Sequence, residues 1–363
     1  MNVLFITQEL DQASDVLGIT PVWIDALARR VDHVHVLALG VGHVVLPANV
    51  SVSSMGKETG AGRAARLKRF YTALVAIVRR QAVDVIFVHM VPLYAILAAS
   101  VARPLGIPVV LWYTSGGVTA RLKLAHSLVQ RVVTASPESF RLPSTKVTVT
   151  GHGVDTGRFS PGPPLPRSPS PTRGEGALAI LAVGRFSRVK DHATLVQAAA
   201  LLPTSWPNRP FQVKIAGAPF YPDDHAYLAE VRQLAADLGI AGVVDFAGAV
   251  PNVALPARYR ECDVVVSTSK TGSIDKVVLE GMACGVPVVT SSEAFVAVLG
   301  PLAPHLTFPS GDAQALAGRL AWLLALSVAE RTALGQVLRS IVVRRHGVDG
   351  WADRLVSVLR SLL

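Results

Sequence analysis

The sequence predicts an α/β fold made of two doubly wound halves. Three observations predict it. Short β-rich runs alternate with helical patterns along the chain, which implies parallel sheets covered on both faces. The alternation breaks once, at "SPGPPLPRSPSPTRGEGA" (160–177), a stretch too rich in Pro, Ser and Gly to pack as strand or helix. And 363 residues suit two domains at ~150 residues each.

In the first half the strands are expected at Asn2–Ile6, His33–Ala38, Asp84–Val88, Pro108–Trp112, Arg131–Thr134 and Lys146–Thr150. A helix is expected at Pro21–Arg30, with Thr20 as its cap and Pro21 in its first turn. After the break, strands are expected at Leu178–Val183, Gln212–Ala216, Val243–Ala247, Asp263–Ser267 and Pro287–Thr290. A final amphipathic helix at about Trp351–Leu362 carries Trp351, Leu355, Val358, Leu359 and Leu362 on one face. The expected division is an N-terminal domain at 1–160, a linker at 161–177, a C-terminal domain at 178–345, and a helix at 346–363 crossing back to the N-terminal domain.

Half the residues are hydrophobic and 17% are charged, which excludes a largely disordered chain. The formal charge of +10 suits an anionic substrate, a nucleic acid or an anionic membrane surface. No nucleic-acid recognition motif accompanies it. Cys262 and Cys284 give neither a disulfide framework nor a metal-ligand spacing, so a reducing, cytoplasmic location is expected. "MNVLFITQELDQ" reads as a first strand and not as a signal peptide. Val85–Ala102 approaches transmembrane length, but Pro92 interrupts it, and a buried strand, a turn and a buried helix explain it. Arg63–Arg80 is a basic helix with a stripe of Leu67, Phe70, Tyr71, Leu74 and Ile77. It either packs on a sheet with solvated charge around it or lies on an anionic membrane.

Two segments carry candidate chemistry. In "VGRFSRVKDH" (183–192), Arg185, Arg188 and Lys190 follow a strand end. Cations there either hold a diphosphate or form a solvated basic loop. In "TGSIDKVVLEGMACGVPVVTS" (271–291), a loop opens into a helix near Asp275, and the N–H groups of Ser273, Ile274 and Asp275 suit an anion. Glu280, further along that helix, is either an exposed partner of Lys276 or an acceptor for a vicinal diol such as a ribose. In doubly wound domains the ligand is expected beyond the carboxyl ends of the strands, in the cleft between the halves.

The second half resembles the C-terminal domain of family 4 glycosyltransferases. The matching stretches are "AVGRFSRVKDHATLVQAAALL", "VKIAGAP", "VDFAGAVPN", "YRECDVVVSTS" and "VVLEGMACGVPVVTS". "PVVLWYTSGG", "TASPESFRL" and "VTGHGVDTGRF" extend a weaker resemblance into the first half. The resemblance implies a GT-B fold, with two Rossmann-like domains facing across a cleft. It also implies retaining transfer from a nucleotide diphosphate sugar to a sugar or lipid-linked acceptor, with no cofactor and no obligatory metal. By position, it implies that Arg185 and Lys190 bind the donor diphosphate, helped by Gly18, Ser273 and Ile274. Glu280 would bind the ribose, and backbone groups near Val250 and Pro251 would flank the base. The sequence departs from the family at Gly272, where a first glutamate is often found, and at Ser115, where a histidine is expected. A single Gly18 replaces a glycine pair. Asp275, the carboxylate nearest position 272, and Ser115 are therefore the catalytic candidates. The alternatives are a nucleotide-sugar epimerase of similar architecture and a nucleotide-sugar-binding protein that has lost catalysis.

Overall fold

The computed structural model describes residues 1–14, 17–80, 82–162, 178–205 and 210–363. Most of the expected linker, 163–177, lies outside the described residues. The chain forms two compact units. Unit 1 comprises Met1–Asp155 and Arg345–Leu363, and unit 2 comprises Thr156–Arg344.

Unit 1 is built on strands β1 (Asn2–Leu10), β2 (His33–Val41), β3 (Val50–Ser54), β4 (Val85–His89), β5 (Val109–Trp112), β6 (Arg131–Thr134) and β7 (Val147–Val149). They form a sheet in the order β3-β2-β1-β4-β5-β6-β7, with every pairing parallel. The direction of winding reverses between β1 and β4. β1 and β2 run further than their apolar cores suggest, because the ladder continues through the pairs Glu9↔Gly40 and Leu10↔Val41. β3 was not expected. Its "VSVSS" is short and lies at the sheet edge, where main-chain pairing with β2 holds it without a buried apolar face.

The first helix is Thr20–Ala28. Thr20 is not its cap: the capping position is Ile19, and the Thr20 hydroxyl is buried inside the helix. A turn from the Thr20 N–H to the Leu17 carbonyl (2.8 Å) starts the helix instead. Helix Val348–Arg360 packs on it. Trp23 lies 4.4 Å from Trp351, ring centre to ring centre, and Arg30 Nε donates to Asp353 at 2.6 Å. Val348, Trp351, Ala352, Leu355, Val356 and Leu359 make the buried face, while Val358 and Leu362 are only half-buried. In helix Arg63–Arg80 the buried residues are Phe70, Leu74 and Ile77. Leu67, expected in the stripe, is exposed, as are Arg63, Lys68, Arg69, Arg79 and Arg80. Val85–Ala102 resolves into β4 and helix Pro92–Ala102. Among the described residues no helix is long and apolar enough to cross a membrane.

Unit 2 is built on β8 (Leu178–Val183), β9 (Phe211–Ala216), β10 (Val244–Gly248), β11 (Val264–Ser267) and β12 (Val288–Thr290). Their order is β10-β9-β8-β11-β12, all parallel. The chain winds outward from β8 in both directions. The loops leaving β8 and β11 therefore diverge at a switch point, which is where open α/β sheets bind ligands. Helix Lys276–Ala283 lies close on β11 and β12, since a Cβ on Gly281 would meet Val265 Cγ2 at 2.9 Å.

Candidate functional site

Two loops build the site in unit 2. The first leaves β8 and runs from Gly184 to Asp191. It lies tight against the loop after β9, where a side chain on Gly217 would meet the Gly184 carbonyl oxygen at 1.9 Å. The second leaves β11 and runs from Thr268 to Asp275. Main-chain and side-chain bonds lace the two together. The Thr268 hydroxyl donates to the Lys190 carbonyl (2.7 Å), the Lys270 N–H to the Val189 carbonyl (2.8 Å), and Lys270 Nζ pairs with Asp191 (3.1 Å). Asp191 is held at a φ of 52°, a left-handed conformation that such bonds must sustain.

Lys190 Nζ lies 2.8 Å from Asp275 Oδ2, and the Ser267 hydroxyl donates to the same oxygen at 2.9 Å. Asp275 is 8% exposed. Burial alone would raise its pKa, but the Lys190 charge and the hydrogen bonds from Lys190 and Ser267 overcome this. The carboxyl is held below its ordinary value. Asp275 occupies the capping position of helix Lys276–Ala283 but makes no side-chain cap bond, so capping alone does not explain it.

Arg185 does not join Lys190. Its guanidinium sits over the Tyr221 ring (5.2 Å), with Nε 3.5 Å from Asp224. Asp224 also accepts the N–H groups of Phe220 and Tyr221 at 3.1 and 3.0 Å. Burial works against its charge, yet those bonds and Arg185 keep its pKa below the usual carboxylate value. Arg188, the third cation of the loop, turns away to Glu230 (2.6 Å).

Gly272 adopts a φ of 66°, a conformation that a glutamate there would adopt only under strain. Ser273 and Ile274 follow it with buried side chains, and the Ser292 hydroxyl fixes the Ser273 carbonyl at 2.7 Å. Glu280 is not the exposed helix residue that one reading expected. It is 1% exposed, with the Tyr259 hydroxyl donating to Oε2 (2.9 Å) and Lys276 Nζ at 3.7 Å from Oε1. Burial raises its pKa, and neither Lys276, nor Tyr259, nor Arg158 reverses that. Val250 and Pro251 follow β10. The next residue, Asn252, is buried and gripped by Arg158 through its carbonyl and its Oδ1 (2.7 Å).

Gly18 and Ser115 belong to unit 1. Gly18 follows β1 and bonds to the Ser14 carbonyl (3.1 Å), and Ser115 is half-buried just beyond β5. Among the described residues no three His, Cys, Asp or Glu side chains group as metal ligands would. Sequence reasoning missed Ser267, Tyr259, Asp224 and Arg158. The hydroxyls carry no motif of their own, and their partners lie 8 and 21 residues away.

Residues 168–338 match the family model of glycosyl transferases group 1. This segment is a group 1 glycosyltransferase domain. The chain is 36% identical over 149 residues to a D-inositol 3-phosphate glycosyltransferase of Geodermatophilus obscurus, covering 40% of this chain and 33% of that protein. It is 30% identical over 231 residues to the enzyme of the same name from Corynebacterium urealyticum, covering 62% and 53%. The chain thus spans a third to a half of the length of these relatives. Sucrose-phosphate synthase from Thermosynechococcus elongatus superposes over 100% of this chain and 99% of its own, with a TM-score of 0.82 at 21% identity. Anabaena HepE in complex with UDP covers 99% and 100%, with a TM-score of 0.78 at 18% identity. Both units therefore share the GT-B glycosyltransferase fold, each a parallel-sheet α/β domain.

Proposed function

We propose that the chain is a retaining, family 4 glycosyltransferase that moves a sugar from a nucleotide diphosphate sugar to a glycan, lipid or small-molecule acceptor. The observation that carries this is the Lys190–Asp275–Ser267 assembly at the switch point of a group 1 domain. An ammonium has three donors. With one on Asp275, Lys190 keeps others for a diphosphate oxygen. Lys190 and Arg185 stabilise the charge that develops on the departing nucleoside diphosphate, so their effect grows toward the transition state. Ser273, Ile274 and Gly18 lie along the phosphates, Glu280 takes the ribose hydroxyls, and Val250 and Pro251 flank the base. Asp275 and Ser115 act on the transferred sugar. This transfer needs no metal or cofactor, and the enzyme works in the cytoplasm, with the exposed cations of helix Arg63–Arg80 available to an anionic membrane surface.

HepE is described in complexes with UDP, with UDP and glucose, and with UDP-glucose, so uridine donors are the first to try. The test is single-turnover transfer from UDP-glucose, and then from GDP- and ADP-sugars, to an acceptor extract, alongside nucleotide affinity by calorimetry. Transfer supports the reading. Tight nucleotide binding with no transfer from any donor supports a binding protein without turnover, a reading favoured by the absence of a carboxylate at Gly272. Donor epimerisation without acceptor identifies an epimerase.

A further inference from the structure

A cavity lies at the opposite end of the unit 2 strands from the switch-point loops. It has a volume of about 270 Å³ and opens at the amino ends of β11 and β12, beside Asp263 and Pro287. The switch-point loops leave the carboxyl ends of the same sheet, so the two places are separate. Arg260, Arg331, Cys262 and Cys284 line the cavity, and Val328 and Thr332 stand at the start of the helix that flanks it.

Its charge is unbalanced. Two guanidiniums face one carboxylate, that of Asp263, and one oxygen of that carboxylate is bonded to the Ala179 N–H at 2.9 Å. Among the described residues neither Arg260 nor Arg331 forms an ion pair. Each is instead fixed by main-chain carbonyls. Arg260 Nε donates to Ser160 (2.9 Å), and Arg331 Nη1 donates to Leu326 and Leu324. Arg260 thereby keeps both terminal amino groups, and Arg331 keeps Nε and Nη2, as donors in fixed positions. Two held guanidiniums against a single carboxylate suit a tetrahedral oxyanion, which accepts several charge-assisted hydrogen bonds at once. Thiol chemistry does not explain the cavity, since burial pushes Cys284 up to about 12. Liquid water takes ~30 Å³ per molecule, so the space exceeds a bare phosphate and admits a short polyol as well.

We propose that this cavity binds a small phosphomonoester through Arg260 and Arg331. The assignment stands apart from the glycosyl-transfer reading, because it uses none of the switch-point residues.

The test is calorimetric titration of glycerol 3-phosphate, inorganic phosphate and glycerol into the full chain. The variants are Lys190→Ala, Arg331→Gln and Val328→Glu. Val328 is 73% exposed, so a carboxylate there neutralises the guanidiniums from the rim without touching the bonds that Arg331 makes. Wild type and Lys190→Ala should bind glycerol 3-phosphate alike and more tightly than inorganic phosphate. Arg331→Gln and Val328→Glu should each weaken it tenfold or more with unchanged melting temperature for Val328→Glu. The proposal is overturned if wild type does not bind, if Val328→Glu binds as well as wild type, or if Lys190→Ala abolishes binding. Equal affinity for inorganic phosphate and glycerol 3-phosphate overturns the phosphomonoester assignment.

Discussion

Lys190 and Asp275 are 85 residues apart and form an ion pair, 2.8 Å between Nζ and Oδ2, across the two loops that meet at the switch point of unit 2. The Lys190 side chain is 26% exposed and that of Asp275 8%. Removing one partner leaves the other charge uncompensated. Lys190→Ala should therefore cost about 2 kcal/mol of stability, below the ~3–5 of a fully buried pair because Lys190 still reaches solvent. The double variant Lys190→Ala, Asp275→Asn should recover most of that loss. A thermodynamic cycle from urea unfolding checks it, and strict additivity of the two single losses would refute the coupling.

Asp275→Asn should reduce transfer more than nucleotide binding. On the proposed reading the carboxylate holds Lys190 in place beside the leaving group and acts mainly in the transition state, where losing one such group costs ~10²–10³ in rate. Nucleotide affinity should change by less than about threefold, which is about 0.65 kcal/mol. Single-turnover rates beside calorimetric affinities give the answer. A rate unchanged in Asp275→Asn would leave Asp275 with a structural role only.

Arg185→Ala should weaken nucleoside diphosphate binding about tenfold or more, as expected for a lost charge-assisted bond of ~1.5–3 kcal/mol. Its melting temperature should stay close to wild type. The side chain is half exposed, and Asp224 keeps its two backbone N–H partners. Unchanged affinity would remove Arg185 from the donor site.

Glu280→Gln should weaken a ribonucleotide far more than its 2′,3′-dideoxy analogue. The substitution keeps an acceptor for Tyr259 but removes the charge that is proposed to face the diol. Because burial raises the pKa of Glu280, the preference for the ribonucleotide should begin to fade above the ordinary glutamate range as pH drops. Equal losses for both ligands would return Glu280 to a packing role with Tyr259 and Lys276.

Acid should destabilise the protein well before ordinary carboxylates titrate. Burial lowers His89, His192 and His346 to about 4, against about 6.5 for a free imidazole. Each is neutral in the folded state and protonated in the unfolded one between those values. Their contribution is present above pH ~6.5 and is lost as pH falls toward 4. Melting temperatures at pH 7, 6 and 5 should decline, and His89→Asn should make the decline shallower. Asn keeps a polar partner for the Thr7 hydroxyl, which meets His89 Nδ1 at 3.1 Å. An identical decline in the variant would exclude His89 as a contributor.

Much of the fold was legible because parallel strands buried on both faces are written as apolar runs, and β8 (Leu178–Val183) is a clear instance. β3 escaped because an edge strand depends on main-chain pairing, which "VSVSS" does not advertise. The burial of Glu280 was legible in hindsight. Every residue from Val277 to Ala283 is buried, and Glu280 is the sole polar one among them, so no solvent-facing stripe existed to hold it. Its ion pair with Lys276 follows from helical spacing, whereas its bond to Tyr259 depends on tertiary packing. The same applies to Lys190 and Asp275. Each stood out as a candidate by its place at a strand or helix end, but their pairing needed β8 and β11 to be neighbours.

Arg345–Leu363 completes unit 1, although all of unit 2 is encoded before it. During synthesis, unit 2 is contiguous and can fold as soon as it leaves the ribosome. Unit 1 starts first but must wait, with the indole of Trp23 uncovered, until helix Val348–Arg360 has been made and can cover it. Of the two units, the one encoded first is the one finished last. Its exposed interval is set by the time needed to translate its neighbour.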